Sequence, residues 1–568
     1  EIEEDAIALD GVVVSANRSE TTRRMAPTLV NVVDLKLFET TNSSTLSQGL
    51  NFQPGVRVET NCQNCGFQQV RINGLDGPYT QILIDSRPVF SALSGVYGLE
   101  QIPASMIERV EVMRGGGSAL FGSSAIAGTI NIITKEPLRN SGQLSHTITS
   151  LGGSSSFDNN TSLNASLVTD DHRAGLYIFG QNRYRSGYDY DGDGFTELPK
   201  LKNQTVGFRS YLKTSTYSKL TFEYHHMQEF RRGGDMLNRP PHEAHIAEQL
   251  QHSIDGGSLK FDYFSPDEKN RLSVFASAAN TDRDSYYGPG NDPLKAYGKT
   301  TDLTAMGGAQ YVHTFDKCFF MPSDLTAGLE YNRDRLKDNM WGYNRHTDQT
   351  VNIYSAFLQN EWKNDRWGIL IGGRLDKHNM VDNVIFSPRA NLRFNPTQNI
   401  NLRLSYSSGF RAPQAFDEDM HIENVGGTVA MIERAKDLKE EKSQSFSVSA
   451  DMYHRFGAFQ TNLLIEGFYT RLTDVFVLGK PYDRGDGILV KTRSNGPGAK
   501  VMGLTLEGKV AYLSILQIQA GLTLQRSRYD EPHKWHDDAP AEKKIFRTPD
   551  TYGYFTATCT PIKPLSIA

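Results

Sequence analysis

The sequence has no long apolar run. No stretch of its 568 residues approaches the ~18 consecutive apolar residues of a transmembrane helix, and its mean hydropathy is -0.47. A helical membrane protein is therefore excluded. A membrane-spanning β-barrel is not, because its strands alternate lipid-facing apolar residues with lumen-facing polar ones and so look polar on average.

The chain has no excess of positive charge, and cysteine is scarce. The net charge is -5, from 60 Lys and Arg against 65 Asp and Glu, so nucleic acid is not expected as a partner. Four cysteines in so long a chain exclude a small disulfide scaffold. A nucleophile elbow, a zinc-protease helix motif and a dinucleotide fingerprint are all lacking, so we expect no enzyme.

Two patterns divide the chain. Residues 1–137 contain short apolar runs, one amphipathic segment and glycine-rich turns, which predict a small α+β domain. From residue 138 onward apolar and polar positions alternate, as in Leu220, Phe222 and Tyr224. Short turns and long loops follow each other between these segments. A sandwich or a propeller also alternates, but this length of all-β patterning favours a closed membrane barrel.

Several motifs occur in a fixed order along the chain. Four lie in the first domain: VRINGL at 70–75, QILIDSRP at 81–88, IPASMIERVEVMRG at 102–115 and SALFGSSAIAGTINIIT at 118–134. The barrel region adds YSAFLQNEW at 354–362, SYSSGFRAP at 405–413 and GLTLE at 503–507. The series closely resembles TonB-dependent outer-membrane receptors over essentially the whole chain.

The resemblance implies an all-β transmembrane barrel of about 22 antiparallel strands when complete, with an N-terminal α+β plug domain in its lumen. We expect an N-terminal tail at 1–18, the plug at 19–137 and the barrel at 138–568. The last residues stop in mid-strand, which suggests that C-terminal strands are missing. Charged plug residues are expected to pair with the wall, namely Arg71, Arg87, Glu108, Arg109, Glu111 and Arg114.

The resemblance also implies active transport across the outer membrane of a Gram-negative bacterium. The family's energy comes from TonB, an inner-membrane partner that grips an N-terminal TonB box by strand addition. The matching residues here are Leu9, Asp10, Gly11, Val12, Val13, Val14 and Ser15. The alternative is that Val12 to Val14 form the first plug strand. Outer-membrane lipids surround such a barrel, and receptors of this kind often work with a surface lipoprotein lid, which is a candidate partner here.

An acidic loop resembles the start of a calcium-binding EF-hand. Asp189, Asp191, Asp193 and Glu197 offer oxygen ligands around two turn-forming glycines. The twelfth position is Lys200 rather than a bidentate Glu, so we expect a structural Ca²⁺ that orders a loop, with an acidic solvated turn as the alternative. Similar calcium-ordered loops occur in the vitamin B12 receptor branch of the family.

The cargo is accordingly expected to be a scarce metal chelate, with cobalamin or another corrinoid first. Haem and ferric siderophores are the alternatives, and a non-energised binding or adhesive barrel is a second alternative. The motif at 410–413 matches haem receptors, and His421 follows it, but the first histidine of the chain is His146, after the plug. A haem site with two axial histidines would therefore lack its plug ligand.

Candidate ligand-contacting residues come from the plug and from aromatic loops. They are Cys62, Gln63, Asn64, Cys65, Tyr286, Tyr287, Tyr297, Trp341, Tyr343 and His421. Such aromatics also form membrane girdles. The Cys62 to Cys65 spacing resembles a redox motif or half of a zinc site, but no second cysteine pair follows, so a Cys62–Cys65 disulfide is expected. Histidines between 225 and 252, with Glu243 and Glu248, are a weaker metal candidate.

Overall fold

The computed structural model describes residues 11–62, 64–87, 99–289, 296–425, 428–534, 540–562 and 565–568. Within these ranges no helix is long and apolar enough to cross a membrane. Leu9, Asp10 and Gln63 lie outside the described residues.

The first domain is a small α+β unit. Its main sheet has the order β3-β7-β8-β6, and β4 and β5 form a separate hairpin. Valine and isoleucine are the commonest residues of β3 and β8, and four of these six side chains are buried, as expected for strands packed on both faces. Its elements are β1 (Val12–Val13), β2 (Thr21–Thr22), β3 (Val30–Asp34), α1 (Leu35–Thr40), α2 (Leu46–Leu50), β4 (Val56–Cys62), β5 (Phe67–Ile72), β6 (Thr80–Ile84), β7 (Ile107–Arg114), α3 (Ser118–Phe121) and β8 (Gly128–Thr134).

The second domain is a closed antiparallel barrel of about 19 strands, with the short β31 inserted beside β30. Its strands are β9 (Ser141–Ser150), β10 (Phe157–Val168), β11 (Ala174–Arg185), β12 (Lys200–Ser215), β13 (Ser218–Gly234), β14 (Ile246–Phe264), β15 (Asn270–Pro289), β16 (Tyr297–Cys318), β17 (Met321–Met340), β18 (Arg345–Lys363), β19 (Trp367–His378), β20 (Ile385–Thr397), β21 (Ile400–Arg411), β24 (Glu441–Phe456), β25 (Phe459–Thr473), β29 (Ala499–Tyr512), β30 (Leu516–His533), β31 (Glu542–Lys544), β32 (Thr551–Ile562) and β33 (Leu565–Ile567).

Between these strands, two long connections form a second, smaller sheet. The connection from β21 to β24 contains α4 (Asp417–Met420), β22 (Glu423–Val425) and β23 (Thr428–Arg434). The connection from β25 to β29 contains β26 (Phe476–Leu478), β27 (Tyr482–Asp483) and β28 (Leu489–Asn495), and β23 pairs with β28 in parallel. Both connections lie at one end of the barrel, called here the long-loop end. Tight turns join the strands at the other end.

Barrel strands place apolar side chains outward and polar ones inward. On β21, Leu402 and Leu404 are 38% and 53% exposed, whereas Arg403 is 3% exposed. This inverts the arrangement of a soluble sandwich and is what a lipid-facing outer surface requires. The expectation of an all-β barrel with an N-terminal plug is confirmed.

Buried ion pairs join the plug to the inner wall of the barrel. Arg114 contacts Glu466 at 2.6 Å, and Glu100 contacts Arg185 at 2.7 Å and Arg231 at 2.8 Å. Breaking one partner of such a pair leaves an uncompensated buried charge, at a cost of about 3–5 kcal/mol. The plug is therefore held in place by the wall.

The expected wall contacts are correct only in part. Arg114 reaches the wall, and Arg87 lies 5.1 Å from the ring centroid of the wall residue Phe275. Arg71 instead pairs within the plug with Glu59. Arg109 also pairs within the plug, with Glu108 and Glu111, because these three side chains follow one another on β7.

Candidate functional site

A tight turn at the tip of the β4–β5 hairpin brings two cysteines together. The backbone N–H of Gly66 donates to the carbonyl of Cys62 at 3.1 Å, and Gly66 has a φ of +69°, which favours glycine. Cys62 lies opposite Phe67 where the hairpin register shifts. We call Cys62 and residues 64–66 the plug-tip turn.

The barrel wall receives the plug-tip turn at a glycine. A Cβ on Gly233 of β13 would lie 1.8 Å from the carbonyl oxygen of Asn64, so only glycine permits this approach. Gly233 is opposite Glu248 of β14 in the strand register. The close approach therefore places the plug cysteines beside the Glu248 side chain.

Four side chains meet at this point, and we call them the apical cluster. Cys62 Sγ lies 3.3 Å from Glu248 Oε2, and Cys65 Sγ lies 3.5 Å from His421 Nε2. His421 Nε2 is in turn 3.5 Å from Glu248 Oε2. The four donor atoms all lie within 4.8 Å of one another.

Aromatic rings hold the imidazole of His421. Phe67 stacks on it with a centroid separation of 5.9 Å, and Tyr287 meets it edge-on at 5.5 Å. Both rings belong to a buried apolar group at the long-loop end that also contains Cys65 and Ile422. The His421 side chain is 16% exposed, so it keeps limited access to solvent.

The cluster balances charge internally. A hydrogen bond from Cys65 lowers the pKa of Cys62 to about 6, against the opposing effects of burial and of Glu248. Burial alone would lower the pKa of His421, but the Glu248 carboxylate and Cys62 raise it well above its usual value. Both pKa shifts favour the charged forms, the thiolate of Cys62 and the imidazolium of His421.

A cavity of about 390 Å³ opens beside the cluster, between plug and wall. Cys62 and His421 form part of its lining, and Arg71, Arg411 and Arg493 are three of the four arginines that also line it. Each of these arginines is also near a carboxylate: Glu59 at 2.7 Å, Glu441 at 3.6 Å and Asp419 at 2.9 Å, respectively. The cavity therefore offers fixed charges of both signs to a polar ligand.

The structure separates the expected ligand-contacting aromatics into two groups. Tyr286, Tyr287 and Tyr343 are buried in the apolar group at the long-loop end, where they support the cluster. Tyr297 and Trp341 are 36% and 56% exposed and remain available to a ligand. His421 joins the apical cluster, a role that its position in the sequence did not indicate.

Cys62 and Cys65 are free thiols in the structure rather than the expected disulfide. Their sulfur atoms contact different partners: that of Cys62 contacts Glu248, and that of Cys65 contacts His421. The weaker histidine candidates lie apart: His242 contacts the Tyr297 hydroxyl and His245 contacts Asp235, so Glu248 alone of that group enters the cluster.

The acidic loop is compact, with Asp191 exposed and Asp189 and Glu197 half-buried. Donor atoms of Asp189, Asp191 and Glu197 lie within 4.8 Å of one another, whereas Asp193 is not part of this group. Backbone amides donate hydrogen bonds to carboxylates throughout the loop: Gly192 donates to Asp189 at 2.7 Å, and Phe195 donates to Asp193 at 2.8 Å. The loop thus carries oxygen donors alone, close together in the sequence.

The described part of the expected TonB box lies against the plug. Val12–Val13 pair with Thr21–Thr22, and Val13 is fully buried while Val12 is 46% exposed. Ser15 donates to Glu111 through its backbone N–H at 2.8 Å and its hydroxyl at 2.7 Å. Val12 and Val13 are therefore in a short strand, as the alternative interpretation has it, and their recognition by TonB stays a prediction.

A barrel plugged by a folded N-terminal domain defines a class of outer-membrane receptor, and comparison with known proteins identifies it. Residues 127–558 match the family "TonB dependent receptor-like, beta-barrel", and residues 22–129 match "TonB-dependent Receptor Plug Domain". The chain belongs to the TonB-dependent receptor family, which consists of receptors rather than enzymes and resides in the outer membrane.

Two curated relatives are vitamin B12 transporters named BtuB. One, from Vibrio vulnificus strain CMCP6, is 24% identical over 425 residues, which cover 72% of this chain and 64% of the relative. The other, from Vibrio vulnificus strain YJ016, is 33% identical over 174 residues, which cover 30% of this chain and 28% of the relative. The aligned regions thus span less than two thirds of either relative.

Solved structures of siderophore receptors share the fold. PirA from Acinetobacter baumannii superposes with a TM-score of 0.77 at 17% identity, over 95% of this chain and 85% of PirA. The alcaligin receptor FauA from Bordetella pertussis gives 0.68 at 14% identity, over 96% of this chain and 87% of FauA. Identities this low establish the fold and leave the cargo open.

Proposed function

We propose that this protein is a TonB-dependent transporter that takes up a small metal chelate, with a corrinoid such as cobalamin as its first candidate cargo. The observation that carries the proposal is the plug, which is fixed to the wall of a closed barrel by buried ion pairs such as Arg114–Glu466. Because nothing of a chelate's size passes such a lumen until the plug shifts, passage needs an external pull.

The N-terminal segment is the proposed point of that pull. In the described part of the chain β1 forms a two-stranded sheet with β2, and Val12 is exposed, so a partner strand can reach the other edge of β1. In this proposal the long-loop end faces outside and receives the ligand, and the N-terminal tail faces TonB in the periplasm.

Two features support a corrinoid. The curated relatives are vitamin B12 transporters, and the acidic loop resembles the calcium-ordered loops of that receptor branch. Ferric siderophores are the second candidate, because the structural neighbours are siderophore receptors.

Uptake of labelled cobalamin by cells producing the protein tests the proposal. Val12→Pro removes a backbone donor from an exposed strand position and should abolish energised uptake while ligand binding is kept. Val12→Thr keeps a β-branched residue there and is the matched control. Unchanged uptake with Val12→Pro would contradict pulling through this segment and favour a non-energised binding barrel.

An absorbance spectrum of the purified protein identifies the cargo. After incubation with cobalamin, haem or a ferric siderophore and removal of free ligand, cobalamin absorbance should remain. Retention of haem or of the siderophore alone would replace the corrinoid by that ligand.

Calcium is proposed as a structural ion of the acidic loop. The three neighbouring carboxylates are the donors that Ca²⁺ prefers, and loop exposure suits an ion that orders a ligand-binding segment. Cobalamin titrations with and without a Ca²⁺ chelator should differ in affinity. Equal affinities would contradict this role.

A further inference from the structure

We propose that Cys62, Cys65, Glu248 and His421 form a four-coordinate site for one thiophilic transition-metal ion, and that Zn²⁺ is the ion this site fits. The inference is independent of the proposed cargo. It concerns an ion held by side chains of the protein itself, at the contact between the plug and the barrel wall.

The donor set selects the metal. Two thiolates and an imidazole with a single carboxylate are ligands for borderline-soft ions such as Zn²⁺, and they are poor ligands for Ca²⁺ or Mg²⁺. A cysteine pair separated by two residues supplies half of many zinc sites. In this chain the other half comes from residues 186 and 356 positions away from their cysteine partners.

Three of the six distances between donor atoms agree with a tetrahedron, and all six are within 4.8 Å. Zinc binds sulfur at about 2.3 Å and nitrogen or oxygen at about 2.0–2.1 Å, so donor atoms around one ion are separated by about 3.3–3.8 Å. The observed separations are 3.3 Å from Cys62 to Glu248, 3.5 Å from Cys65 to His421 and 3.5 Å from His421 to Glu248. One ion can therefore contact all four donors after small side-chain shifts.

Surrounding residues position the donors and leave a path to them. Phe67 and Tyr287 fix the orientation of the His421 ring, and Gly233 admits the plug-tip turn. Such supporting contacts are what separates a metal site from four polar groups near each other. Cys62 and His421 also line the cavity of about 390 Å³, through which a hydrated ion can approach.

A bound ion would connect three parts of the chain. Two ligands belong to the plug, one to strand β14 of the wall and one to the connection between β21 and β24. Displacement of the plug tip removes both sulfur ligands at once. Metal occupancy and plug position are therefore linked, and release of the plug releases the ion.

Metal titration of the full-length, thiol-reduced protein in detergent tests the site. Zn²⁺ should bind with a stoichiometry of one at the cluster, and Co²⁺ in its place should show a thiolate charge-transfer band. The Cys62→Ser/Cys65→Ser double variant should lose the band and at least ~100-fold in affinity. Cys318→Ser, which changes a cysteine elsewhere in the barrel, is the matched control and should behave as the parent protein.

Thiol alkylation of the parent protein gives a readout that needs no variant. Bound Zn²⁺ should protect Cys62 and Cys65, but not Cys318, from a maleimide reagent, as located by peptide mass spectrometry. A Cys62–Cys65 disulfide that persists in mild reductant, or equal alkylation with and without Zn²⁺, would overturn the proposal. So would a Co²⁺ spectrum unchanged in the double variant.

Discussion

Two groups of potential metal ligands lie in the parts of this receptor that the structure describes, and they differ in almost every property. The acidic loop takes its donors from a span of nine residues, Asp189 to Glu197, of which Asp191 is exposed and Asp189 and Glu197 are half-buried. The apical cluster takes its donors from the plug, the wall and a long connection, and is largely buried. The acidic loop offers hard oxygen donors that are close together in the sequence. The apical cluster offers softer sulfur and nitrogen donors, with one carboxylate, that are far apart in the sequence.

The two sites depend on different parts of the structure. Backbone amides of the acidic loop already satisfy its carboxylates, so the loop can keep its shape without an ion. The apical cluster depends on the contact between plug and wall, since Cys62 and Glu248 meet only when Asn64 lies against Gly233. An ion in the acidic loop would order that loop alone. An ion in the apical cluster would stay bound only while the plug remains in place.

Removal of the His421 imidazole should have the largest effect on metal affinity. His421→Ala deletes one ligand and should weaken Zn²⁺ binding by at least ~100-fold while Ca²⁺ binding is unchanged, as measured by isothermal titration. His242→Ala removes a histidine that contacts Tyr297 instead and serves as control. Equal losses in the two variants would mean that the cluster is not the zinc site.

An added methyl group at the contact should have an intermediate effect. Gly233→Ala places a Cβ against the Asn64 carbonyl, which must move the plug-tip turn, so Zn²⁺ affinity should fall by ~10-fold. The free energy of unfolding should fall by about 1–3 kcal/mol, as measured by denaturant titration. Gly508→Ala is the matched control, because a Cβ there meets nothing within 4 Å. Retained zinc affinity in Gly233→Ala would show that the contact does not position the site.

Charge removal in the acidic loop should have the smallest effect and only on calcium. Asp189→Asn removes a carboxylate that accepts from Gly192 and Gly194, and Ca²⁺ affinity should fall by ~10-fold. Zn²⁺ affinity should stay unchanged. Asp267→Asn alters an exposed turn elsewhere and is the control. A loss of zinc binding with Asp189→Asn would show that the two sites are coupled.

The same comparison explains how far the sequence could lead. Strand alternation and the plug motifs predicted the fold, because period-two patterns and turn residues are local properties. The acidic loop could be identified in the sequence for the same reason, because its carboxylates lie close together along the chain. The Cys62–Cys65 spacing resembles a redox motif or half of a zinc site and led to the prediction of a disulfide, because Glu248 and His421 are joined to the cysteines only by strand register and by a long connection. No spacing rule contains that information.

X-ray absorption at the zinc edge of the full-length protein loaded with one equivalent of Zn²⁺ tests the central claim most directly. The apical cluster predicts two sulfur neighbours at about 2.3 Å and two nitrogen or oxygen neighbours at about 2.0–2.1 Å. A shell of nitrogen and oxygen alone would place the ion elsewhere and contradict the account.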